Sequence, residues 1–231
     1  MLRIALIGAE STGKSQLAQA LAERLRQDSG LRCAVVPEHL RHWCEQQGRT
    51  PRPEEQAAIA AEQARQIVLA AQTHELVICD TTPLMTAIYS QLLFGDEGLL
   101  PMALDFQRRC DLTLLTALDL PWVADGLQRD GPHVQQPVDA ALRRALLGAG
   151  LGWSGVGGQG AARLESALNA ITPLLLRHGL LRGRANGLFT RLQARQQAMP
   201  EQAWFCQDCD VPECEHASLR LRAAAPGQPL N

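Results

Sequence analysis

Aromatic side chains are scarce in this chain. Four Trp, four Phe and one Tyr among 231 residues are too few to build the stacked platforms that hold single-stranded nucleic acid. An excess of positive charge is also missing. With 22 Lys and Arg against 24 Asp and Glu, the net charge is −2, so no broad phosphate-binding face for DNA or RNA is expected. No run approaches the roughly 18 apolar residues of a membrane span, and Met1 leads into a short strand without the apolar stretch of a secretion signal. The expectation is a soluble, cytoplasmic protein with neither nucleic acid nor membrane as partner. Paired cysteines are absent too. Seven is an odd number, and Cys33, Cys44, Cys79 and Cys110 stand singly in apolar or mixed surroundings, unlike a secreted disulfide framework. These four read as packing residues.

What is present is an alternation. Short apolar runs at Leu2–Ile7, Cys33–Val36, Leu76–Cys79 and Leu112–Leu115 read as strands, with a fifth near Trp153–Val156 among glycines. Between them, Lys14–Gln27, Pro53–Gln72 and Thr82–Leu93 have helical spacing and crossover length. Ala161–Leu176 follows, with Leu164, Leu168, Ile171 and Leu175 on one face. The prediction is an α/β fold: a parallel five-stranded sheet flanked by helices, of the P-loop NTPase and nucleoside-kinase kind, spanning residues 1–198. Asp119–Pro137 is rich in Pro, Gly, Asp and Arg without periodicity and reads as a lid. Gly148–Gly160 holds seven glycines in thirteen positions, a loop able to bend sharply or approach a ligand. Residues 220–231 are Ala, Pro and Gly rich and read as disordered.

The strongest local signal is Gly8-Ala9-Glu10-Ser11-Thr12-Gly13-Lys14-Ser15, between the first strand and the first helix. Glycines at its ends let the backbone curl so that successive N–H groups converge on phosphate oxygens. Lys14 then reaches the β and γ phosphates and the Ser15 hydroxyl meets Mg²⁺, with Gln16 continuing the ATP-binding stretch. No Asn-Lys-x-Asp guanine-reading motif occurs, and the third strand ends in the single acid Asp80 rather than the Asp-Glu pair of a motor ATPase. A small-molecule kinase fits this better than a GTPase switch or a motor. Asp80 is a candidate for Mg²⁺, or alternatively a cap on the helix starting near Thr82. At the end of the second strand, Glu38 is placed to be the base for an acceptor hydroxyl and Arg41 to position substrate. The alternative is that Glu38 is a first-turn helix residue favoured by the dipole. His39 and His42 read as surface positions of that helix. Arg129 is the lid arginine that would meet the migrating phosphoryl group, with Arg108 or Arg109 next in line. Asp119 and Asp125 could cap turns or hold Arg129.

Assembled, these pieces resemble the NadR-type ribosylnicotinamide kinase domain and its related P-loop ATPases of the AAA type. The likeness runs over roughly residues 1–175. It rests on the phosphate loop, Pro37-Glu38 with Arg41, Asp80-Thr81-Thr82, and Asp119-Leu120-Pro121-Trp122-Val123-Ala124-Asp125-Gly126. It implies an adenylate-kinase-like fold, MgATP as donor, and nicotinamide riboside as acceptor at its 5′-hydroxyl, within NAD salvage. It also implies Trp122, Asp125 and Arg129 in the lid and Glu38 and Arg41 on the acceptor side. Leu40 and Trp43 stand where the family usually has Tyr or another aromatic, which leaves the acceptor open.

Near the carboxyl end, Cys206, Cys209, Cys214 and His216 lie within eleven residues, the ligand set of a structural zinc site or else free thiols on a tail. Residues 199–219 therefore form a candidate zinc tail that could recruit a protein partner or support a homo-oligomer. A regulatory ATPase gated by nucleotide and acting through this tail is the alternative to a kinase.

Overall fold

The apolar runs pair as parallel strands. A computed structural model of the chain describes residues 1–124 and 131–180. In it β1 (Leu2–Ile7), β2 (Cys33–Val36), β3 (Leu76–Asp80), β4 (Leu112–Thr116) and β5 (Ser154–Val156) form one sheet in the order β2-β3-β1-β4-β5. Every pairing is parallel. Strands buried on both faces read as continuous apolar runs, and each residue of β3 is buried.

The helices are α1 (Lys14–Ser29), α2 (His39–Gln47), α3 (Gln56–Thr73), α4 (Pro83–Phe94), α5 (Leu100–Arg108), α6 (Gln135–Gly148) and α7 (Gly160–Arg177). α1 buries Leu17, Ala18, Leu21, Ala22 and Leu25, a stripe at three- and four-residue spacing. It stops at Gly30, whose left-handed backbone lets its N–H bond to the Arg26 carbonyl. α1 packs with α7. Elsewhere, Ile7 and Leu115 join Leu84, Ile88, Val138 and Leu142 in a core that seats α4 and α6. Val36, Val77 and Cys79 pack with Ile67 of α3 and Phe106 of α5.

Two of these helices depart from the expectation. α5 is a nine-residue element between α4 and β4, too short for its periodicity to stand out. α6 begins at Gln135, after a 3-10 turn at Pro132–Val134, inside the stretch read as a lid. Pro137 misled there: in a first turn its missing N–H has no intrahelical partner to lose. A lid reading therefore holds at most for the part before Gly131.

The chain passes from one side of β1 to the other between β3 and β4. A crevice opens at such a switch point, beyond the carboxyl ends of the strands. Leu6 sits beside both Asp80 and Leu114 in register, so the ends of β1 and β3 and the start of α1 meet there. Among the described residues no helix is long and apolar enough to cross a membrane.

Candidate functional site

The loop from β1 to α1 is held in a narrow conformation. Gly8 has φ +149°, and a Cβ there would lie 2.0 Å from Thr116 Oγ1 and 3.2 Å from Thr116 Cβ, so β4 admits no side chain. Ser11 (φ +57°) and Gly13 (φ +73°) both adopt left-handed backbone before α1 starts at Lys14. This curl directs amide groups toward a common centre at a helix amino terminus, which suits an anion. The Thr12 hydroxyl donates to the Ala9 carbonyl at 2.7 Å and lies 2.7 Å from Thr116 Oγ1. Lys14 Nζ also donates to the Ala9 carbonyl, at 2.7 Å, and the side chain is largely buried. The ammonium therefore crosses the loop rather than extending to solvent.

Asp80 ends β3 and is 3% exposed. Burial pushes its carboxyl above the ordinary range, opposed by a hydrogen bond with Ser15 and by the charges of Lys14 and Arg41. Its Oδ1 has no hydrogen-bond partner among the described residues. It does not cap α4, whose N-cap is Thr82. Thr81 carries φ +73°, costly for a β-branched residue and typical of strained functional positions. Its N–H donates to the Leu6 carbonyl at 3.1 Å. Thr82 Oγ1 donates to Gln107 Oε1 and Gln107 Nε2 to Thr113 Oγ1, both at 2.7 Å and buried. That chain of bonds ties the end of β3 through α5 to β4.

Glu38 is the N-cap residue of α2, with extended backbone and no side-chain cap bond. Its carboxylate is 3.7 Å from Arg41 Nη2, one turn along. The β2–α2 turn is fixed from α3. Gln63, 2% exposed, accepts from the His39 N–H at 2.6 Å and donates to the Pro37 carbonyl at 3.2 Å. One amide thus brackets Glu38 on both sides.

These parts share a cleft of about 790 Å³. Its lining includes Glu10 through Gln16 together with Glu38 and Arg41. The remaining wall is mainly apolar: Leu40, Pro51, Tyr89, Leu93, Phe94 and Val123. Cys44 also lines it, and burial pushes its thiol up to about 11, so the group is a protonated packing residue at neutral pH. Cys33 behaves alike, at about 11, and Cys110 at about 12.

Several predicted residues are placed differently. Trp122 is not part of the cleft wall, which Leu120, Pro121 and Val123 form instead. The Val123 N–H donates to Ser11 Oγ at 2.7 Å, which fixes this stretch against the phosphate loop. Arg108 pairs with Asp105 at 2.8 Å and lines a separate cavity with Leu112 and Trp153. Arg109 is the C-cap of α5. Both belong near the amino end of β4, opposite the phosphate loop. Asp125, Arg129 and the set Cys206, Cys209, Cys214 and His216 lie outside the described residues. Among the described ones no group of three or more His, Cys, Asp or Glu is arranged to hold a metal.

Arg163 went unnoticed in the sequence. It opens α7 and is 4% exposed. One Nη donates to Asp119 Oδ1 at 2.6 Å and the Gly158 carbonyl at 2.9 Å, and the other to the Thr12 carbonyl at 2.8 Å. Burial alone would raise the Asp119 pKa, but the bonds from Arg163 and the Gly158 amide overcome this and lower it. Asp119 therefore holds Arg163. The guanidinium locks the phosphate loop to the glycine loop before α7. At the other side of the loop, Gln135 of α6 donates to the Glu10 carbonyl at 2.9 Å. A single arginine in an otherwise helical pattern carries no motif, and its partners are distant in sequence.

No curated protein sequence matches the chain. Among solved structures it is similar to NadR protein in complex with NAD and AMP-PNP. The two are 18% identical with a TM-score of 0.59 over 74% of this chain and 49% of that one. It is also similar to NadR protein in complex with NR, at 18% identity and a TM-score of 0.61, covering 79% of this chain and 51% of that one. At such identity the likeness establishes the fold, and the chain spans about half the length of the NadR chains it matches. The family model described as AAA domain matches residues 3–163, the stretch that contains the phosphate loop, Glu38, Asp80 and Arg163. This chain belongs to the AAA domain family of P-loop proteins.

Proposed function

We propose that the chain is a small-molecule kinase that transfers the γ-phosphate of MgATP to the hydroxyl of a nucleoside-like acceptor, with nicotinamide riboside as that acceptor. The observation that carries this reading is one cleft shared by the phosphate loop and the Glu38–Arg41 pair. A donor site alone would need no carboxylate beside it. The likeness in fold to NadR protein with AMP-PNP and with NR supports the choice of donor and acceptor.

In this reading the loop amides cradle the phosphates, and Lys14 exchanges the Ala9 carbonyl for a phosphate oxygen. The unpartnered Oδ1 of buried Asp80, whose carboxyl Ser15 pulls toward the charged form, suits a hard cation with oxygen ligands. Ser15 and Asp80 would hold Mg²⁺, which when bound neutralises charge on the β and γ phosphates. Glu38 takes the proton of the acceptor hydroxyl as its oxygen bonds to the γ-phosphorus and the bond to the β-phosphate oxygen of ADP breaks. Arg41 orients Glu38 and the acceptor. The apolar wall excludes water, which would otherwise compete as acceptor. Arg129 and Asp125 are proposed to complete the site from the lid.

The test is ADP release with and without added nucleosides. Release should depend on the acceptor, and Glu38→Gln should lower it by about 10²-fold or more while MgATP binding holds. A nucleoside panel including nicotinamide riboside that gives no acceptor-dependent release, while ATP still binds, would sink the reading.

A further inference from the structure

α3 buries two glutamines on one face, Gln56 and Gln63, each 2% exposed and seven residues apart. The amide of Gln63 is used at both ends by the β2–α2 turn. Gln56 is different. It lines the cleft, and its Oε1 has no hydrogen-bond partner among the described residues. A buried amide oxygen without a partner is unfavourable, and leucine of similar size would avoid the cost. The position is also rigid. The preceding residue, Glu55, receives two bonds from Arg49 at 2.7 and 2.6 Å and one from the Arg52 N–H at 2.7 Å. Arg49 in turn lies over the Trp43 ring of α2, 4.9 Å from its centroid.

Gln56 shares the cleft with Leu40, Pro51, Tyr89 and Phe94, side chains suited to a flat ring with few polar groups of its own. We propose that Gln56 is the specificity residue of the acceptor half and reads a carboxamide on the acceptor ring, discriminating against the corresponding carboxylate. This rests on the kinase reading above. A carboxamide offers an N–H donor and a carbonyl acceptor side by side, matching both ends of the glutamine amide. A carboxylate offers acceptors only and leaves the Gln56 oxygen facing another oxygen. Sites built to hydrogen-bond a group discriminate by leaving their own polar atoms unpaired with the wrong ligand.

The experiment measures kcat/KM of the full chain for nicotinamide riboside and for nicotinic acid riboside, with MgATP saturating. The wild type should prefer the amide by about tenfold or more. Gln56→Leu should bring the ratio near unity, chiefly by raising KM for the amide. Gln56→Glu, which accepts from an amide N–H but repels a carboxylate, should keep or widen the preference. Stabilisation by MgADP serves as the fold control, and if Gln56→Leu does not fold, the Gln56→Glu ratio decides. A merely structural role would scale both ribosides equally. Equal use of the two by the wild type, a preference that survives Gln56→Leu, or a smaller preference in Gln56→Glu overturns the assignment and leaves the kinase reading intact. Phosphorylation of neither riboside by an ATP-binding wild type overturns the proposed acceptor and this inference together.

Discussion

Replacing Arg163 by Met isolates the contribution of one buried guanidinium to the phosphate loop. Methionine keeps most of the side-chain length and apolar bulk while removing every donor. The loss falls into two parts. The ion pair with Asp119, whose side chain is 36% exposed, is screened by solvent and contributes about 1 kcal/mol. The carbonyls of Thr12 and Gly158 each lose a charge-assisted bond, at 2.8 and 2.9 Å, worth roughly 1 kcal/mol apiece after partial rehydration. The sum is about 3 kcal/mol, which for a domain of this size lowers the thermal midpoint by roughly 6–12 °C. Differential scanning calorimetry measures the midpoint, and titration calorimetry with MgADP measures whether the loop still binds. Because the Thr12 carbonyl lies within the loop, ADP affinity should fall as well. The pH dependence gives an independent check. Arg163 and the Gly158 amide depress the Asp119 pKa in the folded state, so their contribution is present above the unfolded carboxylate pKa and disappears as pH falls through the folded one. Arg163→Met should therefore lose less stability on acidification than the wild type. A midpoint within about 2 °C of wild type, with unchanged ADP affinity, would refute the view that Arg163 braces the loop.

Three other perturbations follow from the same geometry. Gly8→Ala forces a Cβ to within 2.0 Å of Thr116 Oγ1 at φ +149° and should cost about 1–3 kcal/mol in urea unfolding. It should also weaken ADP binding, and wild-type values for both would show that β4 can yield. Asp80→Asn removes a carboxylate whose pKa burial raises, a group that destabilises the fold at neutral pH and does so less as pH falls through its folded pKa. The variant should melt higher than wild type without Mg²⁺ but lose Mg²⁺-dependent tightening of ADP binding. A lower midpoint in metal-free buffer would contradict this. Hydrogen bonds from Arg49 and then the Arg52 amide hold Glu55 at about 2, below its ordinary 4.5. Their stabilisation is complete above 4.5 and lost as pH falls toward about 2. Arg49→Ala should flatten this acid limb in urea midpoints measured across that window, and an unchanged slope would remove the pair as its source.

Much of the scaffold could be read without coordinates. β1 and β2 occupy the stretches their apolar runs predict, and β3 and β4 run one residue further to include Asp80 and Thr116. The phosphate loop was readable because its chemistry is local: left-handed backbone at Gly13, a cation next to it and a helix starting at once. α5 and α6 escaped notice because a short helix and a proline in a first turn leave little periodic trace.

The amino-acid sequence by itself determined which segments become strands, where the left-handed loop before α1 lies, and that Glu38 and Asp80 follow or end strands, because each depends on residues within a turn or two of one another. Tertiary structure decided the rest. The order β2-β3-β1-β4-β5 brings those strand ends to one crevice. The bond from Arg163 to the Thr12 carbonyl joins residues 151 apart, and that from Gln63 to the His39 N–H joins residues 24 apart. No local pattern encodes such partners. They are selected only when packing removes water from a polar group, so that it must find its hydrogen bonds within the protein.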